Sequence, residues 1–265
     1  MSYQYRSIFI SDVHLGTRDA RSDCLLEFLR NTEAEFIYLL GDIVDLWNLK
    51  KGWYWPQTNN HIAQCLMQKA QQGTRVMYIP GNHDERLRDY IGSNVNDIRI
   101  CQDAIHETAD KRKLLLIHGD EFDSVVMGNK WLVHFGDWLY NNLVVLNRYY
   151  NYLRRKLGFP YWSLSSFLKT RNRKAMEYIN SFENAVAYEA KNRRVDGVVC
   201  GHIHHPAIKT VNGIVYSNAG DWVENCTAVV EKQDGQLRVL YWESERVSQA
   251  SAQIIKPLPS SKEAA

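Results

Sequence analysis

The stretch FIYLLGDIVD, residues 36–45, decides the fold. Five apolar residues, Phe36 to Leu40, stop at Gly41, and two carboxylates follow at Asp42 and Asp45. A short apolar run closed by a turn residue reads as a strand buried on both faces. Carboxylates just past it stand at the strand's C-terminal end, where open α/β sheets collect their ligands.

The same arrangement recurs in both directions along the chain. Ser7–Ile10 leads to Asp12 and His14, and Val76–Ile79 leads through Gly81 to Asn82, His83 and Asp84. Leu114–Ile117 leads to His118 and Asp120, and Val195–Cys200 leads through Gly201 to His202, His204 and His205. Helix-compatible segments around Asp23–Arg30 and His61–Gln71 separate the first three strands, so the chain opens as βαβαβ with a parallel sheet. Later strands, including Ile214–Tyr216, crowd together and end in the alternating LRVLYW of residues 237–242, which predicts an antiparallel meander. The fold class expected is α/β, with metal-ligand residue types on five loops at one edge.

A length of 265 residues with 45% apolar content is enough for one large domain over residues 1–247, and residues 248–265 read as a loosely ordered tail. Lys and Arg number 32 against 30 acidic residues, a net charge of +2 that gives no global attraction to a polyanion, so no nucleic-acid partner is expected. The five cysteines form no CxxC pair and the N-terminus carries no secretory signal, which predicts a cytoplasmic protein with reduced thiols. Cys200, closing an apolar strand, reads as a buried, inert thiol.

An insertion of different character spans about residues 125–190. Trp131, Phe135, Trp138, Leu139, Leu143, Leu146, Tyr150, Leu153 and Leu157 recur at helical steps until Gly158 and Pro160. A second helix is predicted over residues 165–191, with Leu168, Met176, Ile179, Phe182 and Val186 on its apolar face. Basic residues cluster in the same region, Arg171 and Lys174 among them. Apolar surface beside cations suits a substrate with acyl chains and phosphates, and permits peripheral contact with the inner membrane. The alternative is an apolar face that packs the insertion onto the core, with its cations solvated.

Imidazole, carboxylate and amide side chains converging from five loops suit two divalent ions about 3.5–4 Å apart. One carboxylate must bridge them; Asp42 is the choice, because Gly41 lets the backbone approach closely. Such a donor set favours manganese first, with iron, zinc or magnesium as alternatives. His61, His106 and His134 read as ordinary loop residues. Asp221 reads equally as a turn residue or as part of the site's lining.

In order, D-x-H at Asp12, G-D-x-x-D at Gly41, G-N-H-D at Gly81, H-G-D at His118 and G-H-x-H at Gly201 resemble the five signature blocks of the calcineurin-like metallophosphoesterases. The resemblance runs from about Ile8 to Asn218. It implies a four-layer α-β-β-α sandwich with the helical insertion. It also implies one ion on Asp12, His14, Asp42 and His204, and a second on Asp42, Asn82, His118 and His202. His202 and His204 are expected to alternate along an extended segment and so serve different ions, with His205 left to packing. His83 is implied to protonate the leaving oxygen or steady the phosphoryl group, with Asp84 orienting it; Asp45 and Asp120 are expected to support the site.

Within the superfamily, the length, block spacing and insertion look like the bacterial UDP-2,3-diacylglucosamine pyrophosphatases of lipid A synthesis. That likeness implies a nucleotide-linked lipid hydrolysed to UMP and a lipid sugar phosphate. The chain departs from that branch in carrying Asn82-His83 where its members carry Asn-Arg. A phosphodiesterase of a soluble substrate, such as a cyclic nucleotide or oligonucleotide, is the enzymatic alternative; a silent metal-binding docking scaffold is the alternative of another class.

Overall fold

The computed structural model describes residues 3–127, 154, 156–157 and 173–247. Two sheets face each other. The first holds β1 (Tyr3–Ile10), β2 (Thr32–Leu40), β3 (Arg75–Ile79), β4 (Asn94–Val95), β5 (Ile98–Ile100), β11 (Thr227–Glu231) and β12 (Leu237–Tyr241), in the order β12-β11-β1-β2-β3-β5-β4. The second holds β6 (Ala104–Glu107), β7 (Lys113–Leu116), β8 (Gly197–Cys200), β9 (Ala207–Val211) and β10 (Ile214–Asn218), in the order β6-β7-β8-β10-β9.

Successive strand side chains point to opposite faces, and here each face has its own core. Phe9, Tyr38, Leu40, Leu114, Leu116 and Val199 point inward and fill the space between the sheets. Ile8, Ile10, Ile37 and Leu39 point outward from the first sheet onto helices α1 (Ser22–Asn31) and α3 (Gln57–Gln71), through Leu25, Phe28, Leu29, Ile62 and Leu66. Leu115, Ile117, Val198 and Cys200 point outward from the second sheet onto α5 (Arg173–Asn192), through Ile179, Phe182, Val186 and Ala190. The layers are therefore helix, sheet, sheet, helix, as the resemblance implied. Two short helices, α2 (Leu46–Lys51) and α4 (Asp123–Met127), follow the loops after β2 and β7.

β1, β2 and β3 are parallel neighbours, as the βαβαβ opening predicts. The expected antiparallel meander holds only in part: β12, which carries the alternating LRVLY, pairs antiparallel with β11, and β9 with β10, but the strands do not form one continuous meander. β7, β8 and β10 run parallel, because a long connection ending in α5 carries the chain back over the sheet between β7 and β8. Only the edges β6 and β9 are antiparallel in that sheet, while β11 leaves it to pair antiparallel with β1. Helix α5 covers the C-terminal part of the helix predicted over residues 165–191 and buries Ile179, Phe182 and Val186. The periodic run from Trp131, Leu168, Arg171, His134 and the tail of residues 248–265 lie outside the described residues.

His106 is no loop residue. It sits on β6, buried between the sheets, with Tyr38 at 2.9 Å from Nδ1 and Glu231 and Ser7 at 2.7 and 3.1 Å from Nε2. Arg6 closes the same cluster at 3.0 Å from Glu231. The surface bias of polar residues fails here because every partner arrives from a distant strand.

Candidate metal centre

The loops after β1, β2, β3, β7 and β8 meet at one end of the sandwich. Backbone bonds lock the first two together, Asp12 N–H donating to Gly41 O at 3.1 Å and His14 N–H to Asp42 O at 2.9 Å. His202 N–H donates to Asp12 Oδ2 at 2.9 Å, which ties the β8 loop of one sheet to the β1 loop of the other.

Asp12, His14, Asp42, His202 and His204 all have positive φ, at 53°, 54°, 54°, 69° and 51°. Each such residue costs on the order of 1 kcal/mol, and strain of this kind gathers at functional sites. His202 and His204 therefore stand on a bent, left-handed segment, which corrects the expected extended alternation. Gly41 is required: its φ is +78°, and a Cβ there would meet His118 Nδ1 at 2.3 Å. At Gly81 a Cβ would meet Asp42 Oδ1 at 2.3 Å.

His14 groups with Asp45 and His83, and the side chains form two further adjoining clusters, Asp12 with His14 and His204, and Asp42 with His118 and His202. Asp42 lies between them, its Oδ2 3.4 Å from His118 Nε2 and 4.0 Å from His14 Nε2. Asn82 Oδ1 is 3.3 Å from His118 Nε2. His118 donates Nδ1–H to the Leu40 carbonyl at 2.8 Å, which fixes the tautomer and leaves Nε2 as the lone-pair nitrogen facing Asp42 and Asn82. His14 Nδ1 is held by Asp45 Oδ2 at 3.2 Å in the same way.

His14 Nε2 is buried and without a hydrogen-bond partner, and buried Asp12 Oδ1 faces only His204 Nε2, 3.2 Å away. An orphaned buried acceptor costs about 1–3 kcal/mol, so these atoms fit a bound cation. The charges agree. Burial raises the Asp42 carboxyl, but His118, His14 and His83 outweigh it and hold the group well below the carboxylate range. Burial also opposes the charge on Asp12, which His204 nonetheless draws down to about 2. At His14, burial is overcome by Asp45, Asp42 and Asp12, which push the imidazole up to about 9, so the carboxylates hold a proton where a bound cation would replace it.

A family model described as calcineurin-like phosphoesterase matches residues 5–206. The chain belongs to that family. It is accordingly a phosphoester hydrolase of the metal-dependent kind. Its relatives include the UDP-2,3-diacylglucosamine hydrolase of Photorhabdus laumondii, 27% identical over 215 residues, which are 77% of this chain and 84% of that one. The enzyme of the same name from Vibrio atlanticus is 23% identical over 235 residues, 85% of this chain and 93% of that one. A solved archaeal phosphodiesterase aligns with 88% of this chain and 98% of its own, at 14% identity and a TM-score of 0.39.

The supporting residues of this phosphoesterase differ from expectation. Asp84 does not orient His83. Its buried carboxylate turns beneath the Asp42 loop instead, accepting from the backbone N–H of Gly81 at 2.6 Å and Ile43 at 2.9 Å, groups that would otherwise be orphaned. Asp45 stands beside His83, with Oδ2 3.0 Å from Nδ1, while its Oδ1 caps α2 through Asn48 N–H at 2.7 Å. Trp47, on the first turn of α2, lays its ring 4.3 Å from that of His83, and the His14 ring lies 4.6 Å away on another side. His83 keeps 21% of its side chain exposed, enough to reach a substrate.

Asp120 binds Arg88 through both oxygens at 2.8 Å, beside a cavity of about 550 Å³ that opens next to His118. Asp221 is buried and serves the turn, its Oδ1 accepting from Val223 N–H at 2.9 Å, with Oδ2 4.0 Å from His204 Nδ1. His205 is half-buried and outside the two clusters, and Lys174 sits in the first turn of α5. Cys200 is buried, its thiol pushed up to about 12 by burial. Sequence reading missed Trp47 and Asp123, the latter 2.9 Å from His202 Nε2. Trp47 follows the second carboxylate of G-D-x-x-D by two positions, a usable signal; Asp123 lies in no block.

Proposed function

We propose that the chain is a dinuclear hydrolase of UDP-2,3-diacylglucosamine or a related nucleotide-linked lipid, releasing UMP and an acylated sugar phosphate. Asp12, His14, Asp42 and His204 would hold one ion, and Asp42, Asn82, His118 and His202 the other, with manganese first among the candidate metals. The observation that carries the chemistry is the pair of adjoining clusters, Asp12–His14–His204 and Asp42–His118–His202, with Asp42 Oδ2 4.0 Å from His14 Nε2 between them. His83, which groups with His14 and Asp45, is read as the acid and not as a ligand. Two bound divalent ions supply charge that polarises a phosphoryl group and lowers the pKa of an attacking water.

The chain's own residues do the rest. His83, held between Trp47 and Asp45, donates a proton to the departing oxygen. Its backbone N–H, bonded to Asp42 Oδ1 at 2.8 Å, ties the position of the acid to that of the shared carboxylate. Asp45 serves both imidazoles, His14 and His83, from one oxygen. No covalent enzyme intermediate is required.

The substrate class is supported by the names of the relatives and by the aromatic, basic composition of the insertion, with Arg171 and Lys174 as proposed phosphate contacts. The cavity beside His118 has the size of a small-molecule site. Trp53, 79% exposed and next to exposed Lys50 and Lys51, suits a substrate presented from an anionic membrane surface. No helix among the described residues is long and apolar enough to cross a membrane.

Phosphorus NMR of manganese-reconstituted protein tests the reading, with UDP-2,3-diacylglucosamine and an aryl phosphodiester in parallel. UMP and the acylated sugar phosphate are the expected products, formed far more slowly by His83→Ala. Turnover of the aryl phosphodiester alone contradicts the lipid assignment and favours a soluble phosphodiester, a reading that His83 in place of the lipid A branch's arginine keeps in play.

A further inference from the structure

Asp123 opens α4, five positions after His118 and outside every signature block. Its Oδ1 accepts two hydrogen bonds, from His202 Nε2 at 2.9 Å and from the Tyr178 hydroxyl at 2.7 Å. Tyr178 belongs to α5, the helix on which the insertion returns to the core, and α4 packs against it. The carboxylate thus joins a histidine of the Asp42–His118–His202 cluster to the helical layer that covers the second sheet.

With Nε2–H given to Asp123, Nδ1 is the His202 nitrogen left for the cluster. A carboxylate behind a ligating imidazole fixes its tautomer and ring direction and raises its basicity; loss of such a partner typically weakens metal binding 10–100-fold. Asp123 is not itself part of the cluster of ligand atoms. Its own orientation is set by Tyr178, because a carboxylate at the start of a five-residue helix, with 21% of its side chain exposed, has other rotamers open to it.

We infer that Asp123 and Tyr178 are positioning residues for the ion held by Asp42, Asn82, His118 and His202, so that helix α5 sets the affinity of that ion and not of its neighbour. The inference rests on the two-ion reading proposed above. It gives the insertion a second task besides substrate contact: through Tyr178, a displacement of α5 alters the coordination of one ion and leaves the other untouched.

The test is manganese binding to the full-length protein, followed by calorimetry and by the visible spectrum of the cobalt-substituted form, for wild type, Asp123→Ala, Asp123→Asn, Tyr178→Phe and His118→Ala. Asp123→Ala is expected to weaken one of two ions by about 10–100-fold while the other keeps its affinity. Tyr178→Phe is expected to weaken the same ion by a smaller factor and to shift its cobalt bands. Asp123→Asn preserves shape and an acceptor oxygen but removes the charge, so it keeps the inference testable if the alanine variant does not fold; it is expected to weaken the same ion by less than Asp123→Ala, and unchanged affinity for both ions in it counts against the inference. Unchanged affinity for both ions in Asp123→Ala, or an equal loss at both, overturns the inference. His118→Ala separates the two levels. If it also leaves both ions at wild-type affinity, the two-ion reading itself has failed; if it removes one ion while Asp123→Ala changes nothing, only the positioning role has.

Discussion

At the scale of single residues, the centre is a set of imidazoles each given one fixed nitrogen and one facing inward. His118 is fixed by the Leu40 carbonyl and His14 by Asp45. His83 differs: Asp45 Oδ2 stands 3.0 Å from its Nδ1, and the Trp47 ring lies tilted against its own. His83→Ala is therefore expected to lower kcat by about 10²–10⁴-fold with manganese content unchanged, read by steady-state kinetics and elemental analysis. Asp45→Ala should lower kcat in the same direction and also weaken metal binding, since its oxygen serves His14 as well. The five blocks made Asp12, His14, Asp42, Asn82, His118, His202 and His204 legible because each stands at a fixed step from its strand. The partner of His83 was not legible. Asp84 is adjacent in sequence, yet backbone N–H groups of the Asp42 loop claim its carboxylate, and only the loop's path brings Asp45 across.

At the scale of elements, strands were readable wherever apolar runs met glycine or a polar residue, which covers β1, β2, β3, β7, β8 and β10. The edge strands β4, β6 and β9, and β5 beside β4, are short or only half-buried and carry no such pattern. The cluster of Arg6, Ser7, Tyr38, His106 and Glu231 was invisible for a related reason, since it fastens β1, β2 and β11 of one sheet to β6 of the other through residues far apart in sequence. Burial raises the Glu231 carboxyl, but hydrogen bonds from His106, Ser7 and the Ala109 N–H outweigh it and draw the group from 4.5 down to about 2. A depressed carboxyl contributes stability that is fully present above its unfolded value and is lost as pH falls toward its folded one. Wild type should therefore lose urea resistance between about pH 4.5 and pH 2 more steeply than Glu231→Gln. Parallel slopes for the two proteins would contradict the role given to this cluster.

At the scale of the whole molecule, two sheets with separate outer cores meet at a site that neither could complete alone. The first sheet supplies Asp12, His14, Asp42 and Asn82, the second His118, His202 and His204, and the His202–Asp12 bond crosses the seam. Ions held there bind only the folded chain, so they should stabilise it by about 2.7 kcal/mol at a concentration 100 times Kd. Chelation should lower the Tm, and manganese should restore it. The measurement that bears most directly on the account is manganese stoichiometry combined with electron paramagnetic resonance, on wild type and on Asp42→Ala. The account predicts two ions per chain with the exchange-coupled signal of a pair sharing a ligand, and loss of that coupling together with turnover in Asp42→Ala. A single ion in wild type, or a coupled pair and full turnover surviving in Asp42→Ala, would contradict it.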